Sequence, residues 1–223
     1  MDGPDFGREQ VADTFRFLVP VNRLFGGIHP ALGFFQQESR AWDPQKTYQI
    51  LDAGCGAGDV ALALAKWARR NGFQLQIDAV DKHPEAIELG RQKCQSYPEI
   101  TFSCRDVLQH EGAEYDYVHA SQFVHHFPNE EVVPLLLHFL AMCQRKVVIN
   151  DLVRAPLAYV ATWLFTLVTS PVFRHDARLS VKRGFKLEEL RKLLNDGGIH
   201  DFHLEGRFFY RFLLVLKKTS RLA

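Results

Sequence analysis

The stretch Ile50-Leu-Asp-Ala-Gly-Cys-Gly-Ala-Gly-Asp59 constrains this chain more than any other. An apolar run, Tyr48 to Leu51, leads into it, and an alanine-rich run, Val60 to Arg70, leads out. Apolar run, glycine turn, helical run is the order of a strand–turn–helix unit in an α/β fold. Gly54, Gly56 and Gly58 remove side chains where the chain must bend sharply and where a ligand must approach the backbone. The helix that follows starts with free N–H groups aimed into the turn.

The spacing narrows the ligand. A dinucleotide fingerprint reads G-x-G-x-x-G, with its last glycine in the helix. Here the glycines fall as G-x-G-x-G, Asp59 stands where the third dinucleotide glycine would be, and Asp52 precedes the turn. A carboxylate beside the turn repels a pyrophosphate. It suits a cofactor with a cationic amino group and a sulfonium. The pattern resembles motif I of the class I methyltransferases that use S-adenosyl-L-methionine. For a glycine turn read alone, an ordinary tight strand–helix connection is the alternative.

A chain of 223 residues is expected to form one domain with a substantial core. The net charge of +1 supplies no broad basic field, so no nucleic-acid partner is expected. Residues 1–5 (Met-Asp-Gly-Pro-Asp) lack the basic and apolar regions of a signal peptide, which predicts a cytoplasmic protein. Cys55, Cys94, Cys104 and Cys143 form no C-x-x-C pair and read as reduced thiols. Neither they nor the histidines show metal-ligand spacing, so no metal is expected.

Ahead of the turn, Phe15, Phe17, Leu18, Val21, Leu24 and Phe25 suggest short amphipathic helices broken at Pro20, and a second apolar stretch runs from Ile28 to Phe35. Such a prefix either caps the ligand site or covers one sheet face. After the turn, Gln74 to Asp81 reads as a second strand ending in an acid about twenty residues on, where a carboxylate reaches ribose hydroxyls. Asp81 is therefore a ribose-ligand candidate with Lys82 beside it; capping of a helix from Pro84 to Cys94 is the alternative. Ile100 to Asp106 is a third strand, with Asp106 and the Val107 backbone as adenine candidates. Tyr115 to Ala120 is a fourth, with Ala120 and Ser121 at its ligand end, followed by a helix with Pro134 near its start. Lys146 to Asp151 is a fifth. A helix from Leu187 to Leu194 precedes two neighbouring strands, about His200 to Phe208 and Tyr210 to Lys217.

This order predicts a Rossmann-like α/β fold: a doubly wound parallel sheet of five strands finished by an antiparallel hairpin, seven in all. The expected divisions of the single domain are an N-terminal helical cap (1–45), a cofactor-binding core (46–152), a helical substrate lid (153–184), and the last helix and strands (185–223). Ala155 to Phe173 carries no charge. Pro156 and Pro171 would bracket a helix of about fifteen residues, roughly 22 Å long, short of the roughly 30 Å of a bilayer core. Its readings are a lid over an apolar pocket, a buried or homodimer-forming helix, or shallow peripheral membrane contact.

Five segments resemble a more specific group: Asn22-Arg-Leu-Phe-Gly-Gly27, Leu51 to Asp59, Ser121-Gln-Phe-Val-His-His-Phe127, Asn150-Asp-Leu152, and Arg174-His-Asp-Ala-Arg-Leu-Ser180 before Phe185. Together the chain is similar to the type 11/12 small-molecule methyltransferases, near those of ubiquinone and menaquinone. The resemblance implies S-adenosyl-L-methionine as cofactor, held by Asp52, Gly54, Cys55, Gly56, Gly58, Asp81, Lys82, Asp106, Val107, Ala120 and Ser121. It implies methylation of a small acceptor, with quinone, polyketide or phenolic metabolism as the setting. Ala177 departs from the glycine expected in His-Asp-Gly.

A phenol of pKa about 10 gains from a general base. His125, His126 and His175 are expected on loops at the pocket side, with His126 and His175 the favoured bases and Asp176 a neighbour that could orient His175. No Asn/Asp-Pro-Pro-Tyr/Phe follows the fourth strand, which argues against adenine methylation in DNA. Ser121 stands where a metal-dependent catechol site would need a carboxylate. Two competing readings are a nicotinamide-dependent oxidoreductase, disfavoured by the glycine spacing, and a non-catalytic partner of a biosynthetic enzyme.

Overall fold

The computed structural model describes residues 27–110, 114–166 and 171–218. Seven strands form one sheet: β1 (Thr47–Ala53), β2 (Gln74–Asp81), β3 (Ile100–Cys104), β4 (Tyr115–Ser121), β5 (Cys143–Leu152), β6 (Phe202–Arg207) and β7 (Arg211–Lys217). Their order is β3-β2-β1-β4-β5-β7-β6. β1 to β5 are parallel, and β7 runs antiparallel to both β5 and β6. This is the expected parallel sheet closed by a hairpin.

Both faces of the sheet are covered, and strand alternation decides which side chain goes where. Leu51, Val118 and Val147 enter one core cluster, with Leu136 and Phe139 of α4 (Asn129–Met142) and Leu190 of α7 (Leu187–Asp196). Their neighbours Ile50 and Tyr117 enter the opposite cluster, with Phe35 of α1 (His29–Glu38), Leu64 of α2 (Asp59–Asn71) and Ile87 of α3 (Pro84–Lys93). α2 ends at Gly72, whose left-handed backbone lets its N–H return to the Ala68 carbonyl. α4 continues through Pro134, its sixth residue, beyond the first turn where proline is free of cost. Burial of Val132, Leu135, Leu136 and Phe139 outweighs the missing backbone bond.

The amphipathic helices expected before residue 26 lie outside the described residues. The Ile28–Phe35 stretch is α1, and it covers a sheet face: Ala31 and Phe35 are fully buried, and the Phe35 ring meets Tyr117 edge-on at 5.4 Å.

Three expectations are corrected. The uncharged segment does not form one helix of fifteen residues; α5 runs Pro156–Phe165, and Pro171 opens the next helix, α6 (Pro171–Arg183). Proline suits a first helical position because its missing N–H would have had no partner there. The Arg174–Ser180 stretch is therefore helical rather than a loop. Asp106 lies two residues beyond the end of β3. Among the described residues no helix is long and apolar enough to cross a membrane.

Candidate cofactor and acceptor site

A cavity of about 670 Å³ opens at the carboxyl ends of the parallel strands, where open α/β sheets place their ligands. The glycine turn forms one wall. Gly54, Gly56 and Gly58 have φ of 66°, 53° and 71°, in the left-handed region that side chains disfavour. A Cβ on Gly54 would sit 2.2 Å from the Phe123 ring, and one on Gly58 would sit 2.5 Å from the Phe102 ring. Gly54 and Gly56 line the cavity; Gly58 instead packs on Phe102 and starts α2. The turn is tied to β2 by the Cys55 N–H, 3.0 Å from the Val80 carbonyl.

Asp81 holds the turn from below. Its Oδ2 accepts from the Gly56 N–H at 2.9 Å, and its Oδ1 accepts from the His83 N–H at 2.9 Å. Each carboxylate oxygen can accept a second bond, and Asp81 lines the cavity. The His83 side chain makes no cap bond at the start of α3; Asp81 instead holds the His83 N–H, one residue ahead of the helix.

Asp52 is buried and also lines the cavity. The β1–β4 register puts it beside His119, and Asp52 Oδ1 lies 2.8 Å from His119 Nδ1. Among the described residues neither Asp52 Oδ2 nor His119 Nε2 has a hydrogen-bond partner. A buried carboxylate oxygen left bare costs about 1–3 kcal/mol, so this part of the wall favours a hydrogen-bond donor. Burial first, and then the charges of Asp52 and Asp81, push the Cys55 thiol well above its ordinary range, so Cys55 is a neutral wall residue.

Farther along the rim, Asp106 accepts from the Leu108 N–H at 3.0 Å and caps the short turn Val107–Gln109. Asp106, Val107 and Lys82 all line the cavity. Ser121 does too: its hydroxyl donates to the Gly27 carbonyl at 3.2 Å, which also receives the Asn150 side-chain N–H at 2.9 Å. Ala120 does not reach the cavity. Alternation along β4 turns it, like Val118, into the core cluster that holds Leu51 and Val147, where it is fully buried.

The histidines separate. After β4 the chain reverses at Gln122, a non-glycine residue at φ 52°. The short helix Val124–His126 then lays His125 over the end of β5. His125 is buried, with Nδ1 2.6 Å from Asp151 Oδ1 and its N–H 3.1 Å from Asp151 Oδ2. Burial alone would raise the Asp151 carboxyl. The charge and hydrogen bond of His125, with the N–H groups of Leu152 and His125, hold it below the usual carboxylate range instead. His126 is exposed at the cavity edge, its ring 4.2 Å from that of His125. His175 is not brought to the site. Ala177 on α6 lines the cavity, and two residues of helix turn a side chain about 200°, so His175 lies exposed outside. Asp176 carries no described side chain.

Arg211 was not anticipated. The turn between β6 and β7 brings Phe209, Tyr210 and Arg211 to the cavity. Arg211 is buried, with Nη2 3.3 Å from Gln122 Oε1. Burial lowers its guanidinium pKa to about 10, against the opposing pull of Asp151. The far wall is made of small residues of α5 and α6, namely Ala158, Ala161, Thr162, Ala177 and Ser180. Among the described residues no cluster could hold a metal ion.

The strand order, the terminal hairpin and the glycine turn define a class I methyltransferase fold. A family described as "Methyltransferase domain" matches residues 50–155. Among curated proteins the chain is similar to the magnesium-protoporphyrin O-methyltransferase of Synechocystis sp. (strain ATCC 27184 / PCC 6803 / Kazusa), at 25% identity over 154 residues. That match covers 67% of this chain and 61% of the relative, so the chain spans about three fifths of that protein's length. Among solved structures, the magnesium protoporphyrin IX methyltransferase from Synechocystis PCC 6803 with bound SAH superposes at a TM-score of 0.55. It shares 19% identity, over 98% of this chain and 90% of that one. The plantazolicin methyltransferase BpumL in complex with SAH reaches 0.70, at 16% identity over 98% and 92%. The methyltransferase domain of the citrinin polyketide synthase reaches 0.66, at 12% identity over 86% and 52%. At these identities the likeness is one of fold.

Proposed function

We propose that this chain transfers a methyl group from S-adenosyl-L-methionine to a small acceptor of apolar aromatic, quinone or polyketide character, at oxygen or carbon. The observation that carries the reading is Asp52 Oδ2, a buried carboxylate oxygen in the cavity wall beside the glycine turn that has no hydrogen-bond partner among the described residues. A cationic amino group is the donor that fits it, and a pyrophosphate is not. In this reading the Gly54–Gly56 backbone admits the amino-acid portion, Asp81 accepts from the ribose hydroxyls through its remaining lone pairs, and Asp106 and Val107 meet the adenine. Cys55, Lys82 and Ser121 complete the wall.

When bound, the sulfonium supplies an electrophilic methyl group. The protein's part is then to orient the acceptor and exclude water. The small side chains of α5 and α6 leave space for a flat apolar acceptor, and the family match supports the reaction type. In this reading the chain is one domain in which 46–152 is the cofactor core and 153–184 the lid.

Calorimetric titration with S-adenosylhomocysteine, against NADH, tests the reading. Micromolar binding of the first and none of the second is expected. NADH binding would favour an oxidoreductase. A folded protein that binds neither, and co-purifies with an enzyme, would be a non-catalytic partner.

A further inference from the structure

We infer that Arg211, with Arg183 across the end of β5 from it, anchors an anionic oxygen of the acceptor, so that the acceptor is an apolar ring or chain bearing a carboxylate. The inference rests on the methyltransferase reading above and names the group by which the acceptor is held.

The sheet places both cations. β4 stops at Ser121, opposite Asn150, while β5 continues to Leu152. The chain after α6 takes the vacated place. Phe185 bridges Val153 in parallel; its N–H lies 3.0 Å from the Leu152 carbonyl, and its carbonyl accepts from the Arg154 N–H at 3.0 Å. On the other flank Arg211 faces Leu152 in the β5–β7 ladder, and the Tyr210 carbonyl accepts from the Val153 N–H at 2.7 Å. The segments that carry Arg183 and Arg211 thus flank the end of β5, two strand spacings or roughly 10 Å apart. The Arg211 side chain crosses that end, because it donates to Gln122, the residue that follows β4. Arg183, the last residue of α6, is exposed, and both line the cavity.

The two halves of the cavity carry opposite charge. Asp52, Asp59, Asp81 and Asp106 stand along the glycine turn and beyond the ends of β2 and β3, where they suit a cationic cofactor. Glu131 on α4 is the remaining acid of the lining. Among the described residues, α5, α6 and the β6–β7 turn contribute Arg183 and Arg211 and no acid. The acceptor half is therefore apolar with a cationic end.

A brace would not need this cation. Taking a guanidinium out of water is costly, and a neutral amide would donate equally to Gln122. Arg211 is 4% exposed, and burial lowers its pKa to about 10 even with Asp151 pulling the other way. Its surroundings thus compensate the charge incompletely, and an anion on the cavity side restores the balance. Asp151 is engaged elsewhere, since its oxygens accept from His125 and from the Leu152 N–H. Arg211 stays charged at neutral pH, and a guanidinium fork matches a carboxylate in shape.

The test uses the protein saturated with S-adenosylhomocysteine. Two acids, 2-naphthoate and 4-octylbenzoate, and the matching neutral amides are titrated by calorimetry at neutral pH. Wild type is expected to bind at least one acid about tenfold or more tightly than its amide. Arg211→Gln should erase that preference, Arg211→Lys should retain part of it, and Arg183→Gln should reduce it about two- to fivefold. Affinity for S-adenosylhomocysteine should stay unchanged in all three, which a merely structural role would not allow. An acid bound no better than its amide overturns the inference. So does a wild type that binds S-adenosylhomocysteine and neither acid, a preference that survives Arg211→Gln, or an equal loss of cofactor affinity in that variant. If Arg211→Gln does not fold, an undiminished preference in both Arg211→Lys and Arg183→Gln overturns it. Failure of the wild type to bind S-adenosylhomocysteine would instead sink the methyltransferase reading.

Discussion

Replacing Asp81 by asparagine separates two tasks that one carboxylate performs. In the native site Oδ2 accepts from the Gly56 N–H and Oδ1 from the His83 N–H, both at 2.9 Å. An asparagine has the same shape but offers one oxygen to two donors. Whichever way the amide turns, one N–H meets an NH2 group. A lost hydrogen bond to a charged group is worth about 1.5–3 kcal/mol. For a chain of this size about 1 kcal/mol moves Tm by about 2–4 °C, so Tm should fall by about 4–8 °C for a loss near 2 kcal/mol. If the same carboxylate also accepts from ribose hydroxyls, the affinity for S-adenosylhomocysteine falls by a similar energy, about 10- to 150-fold at 1.4 kcal/mol per decade. Thermal melting of the free protein reads the first effect, and calorimetry below the melting range reads the second. An unchanged Tm would show that the carboxylate does not hold the turn. A lowered Tm with an unchanged Kd would remove the ribose assignment and leave Asp81 a purely structural brace.

Gly54→Ala should weaken S-adenosylhomocysteine binding by at least about tenfold, because the new Cβ meets the Phe123 ring at 2.2 Å in a backbone held at φ 66°; native-like titration curves would contradict the turn's role. Gly56→Val, at φ 53°, should abolish binding while circular dichroism stays native. The His125–Asp151 contact has a pH signature as well. The folded-state pKa of Asp151 is depressed, so its stabilising effect is fully present above its unfolded value near 4 and is lost as pH falls through the lower folded value. Asp151→Asn should therefore flatten the acid limb of the stability curve below about pH 4, read by denaturant melts; an identical limb in the variant would refute this.

Much of the fold was legible in the chain because its signals are local. Glycines at 54, 56 and 58 mark one sharp turn, apolar runs bounded by acids mark strand ends, and two adjacent runs after Gly198 mark a hairpin. Asp52 and Asp81 could be singled out for the same reason, since each ends a strand or opens the turn. The boundaries of α5 and α6 were not legible, because Pro171 reads equally as the stop of one helix and the start of the next.

The polar pairs at the site are not local. Asp52 meets His119 across 67 positions and His125 meets Asp151 across 26, both through the register of neighbouring parallel strands. Arg211 reaches the cavity only because β7 runs back beside β5. The same geometry turns Ala120 into the core and His175 out to solvent. The sequence by itself determined the strand–turn–helix units and the kind of charge beside the turn, since these depend on residues adjacent in the chain. Only the tertiary structure decided which histidine meets a buried carboxylate and which polar atoms are left bare, since a one-residue change of register reverses the face of every side chain on a strand.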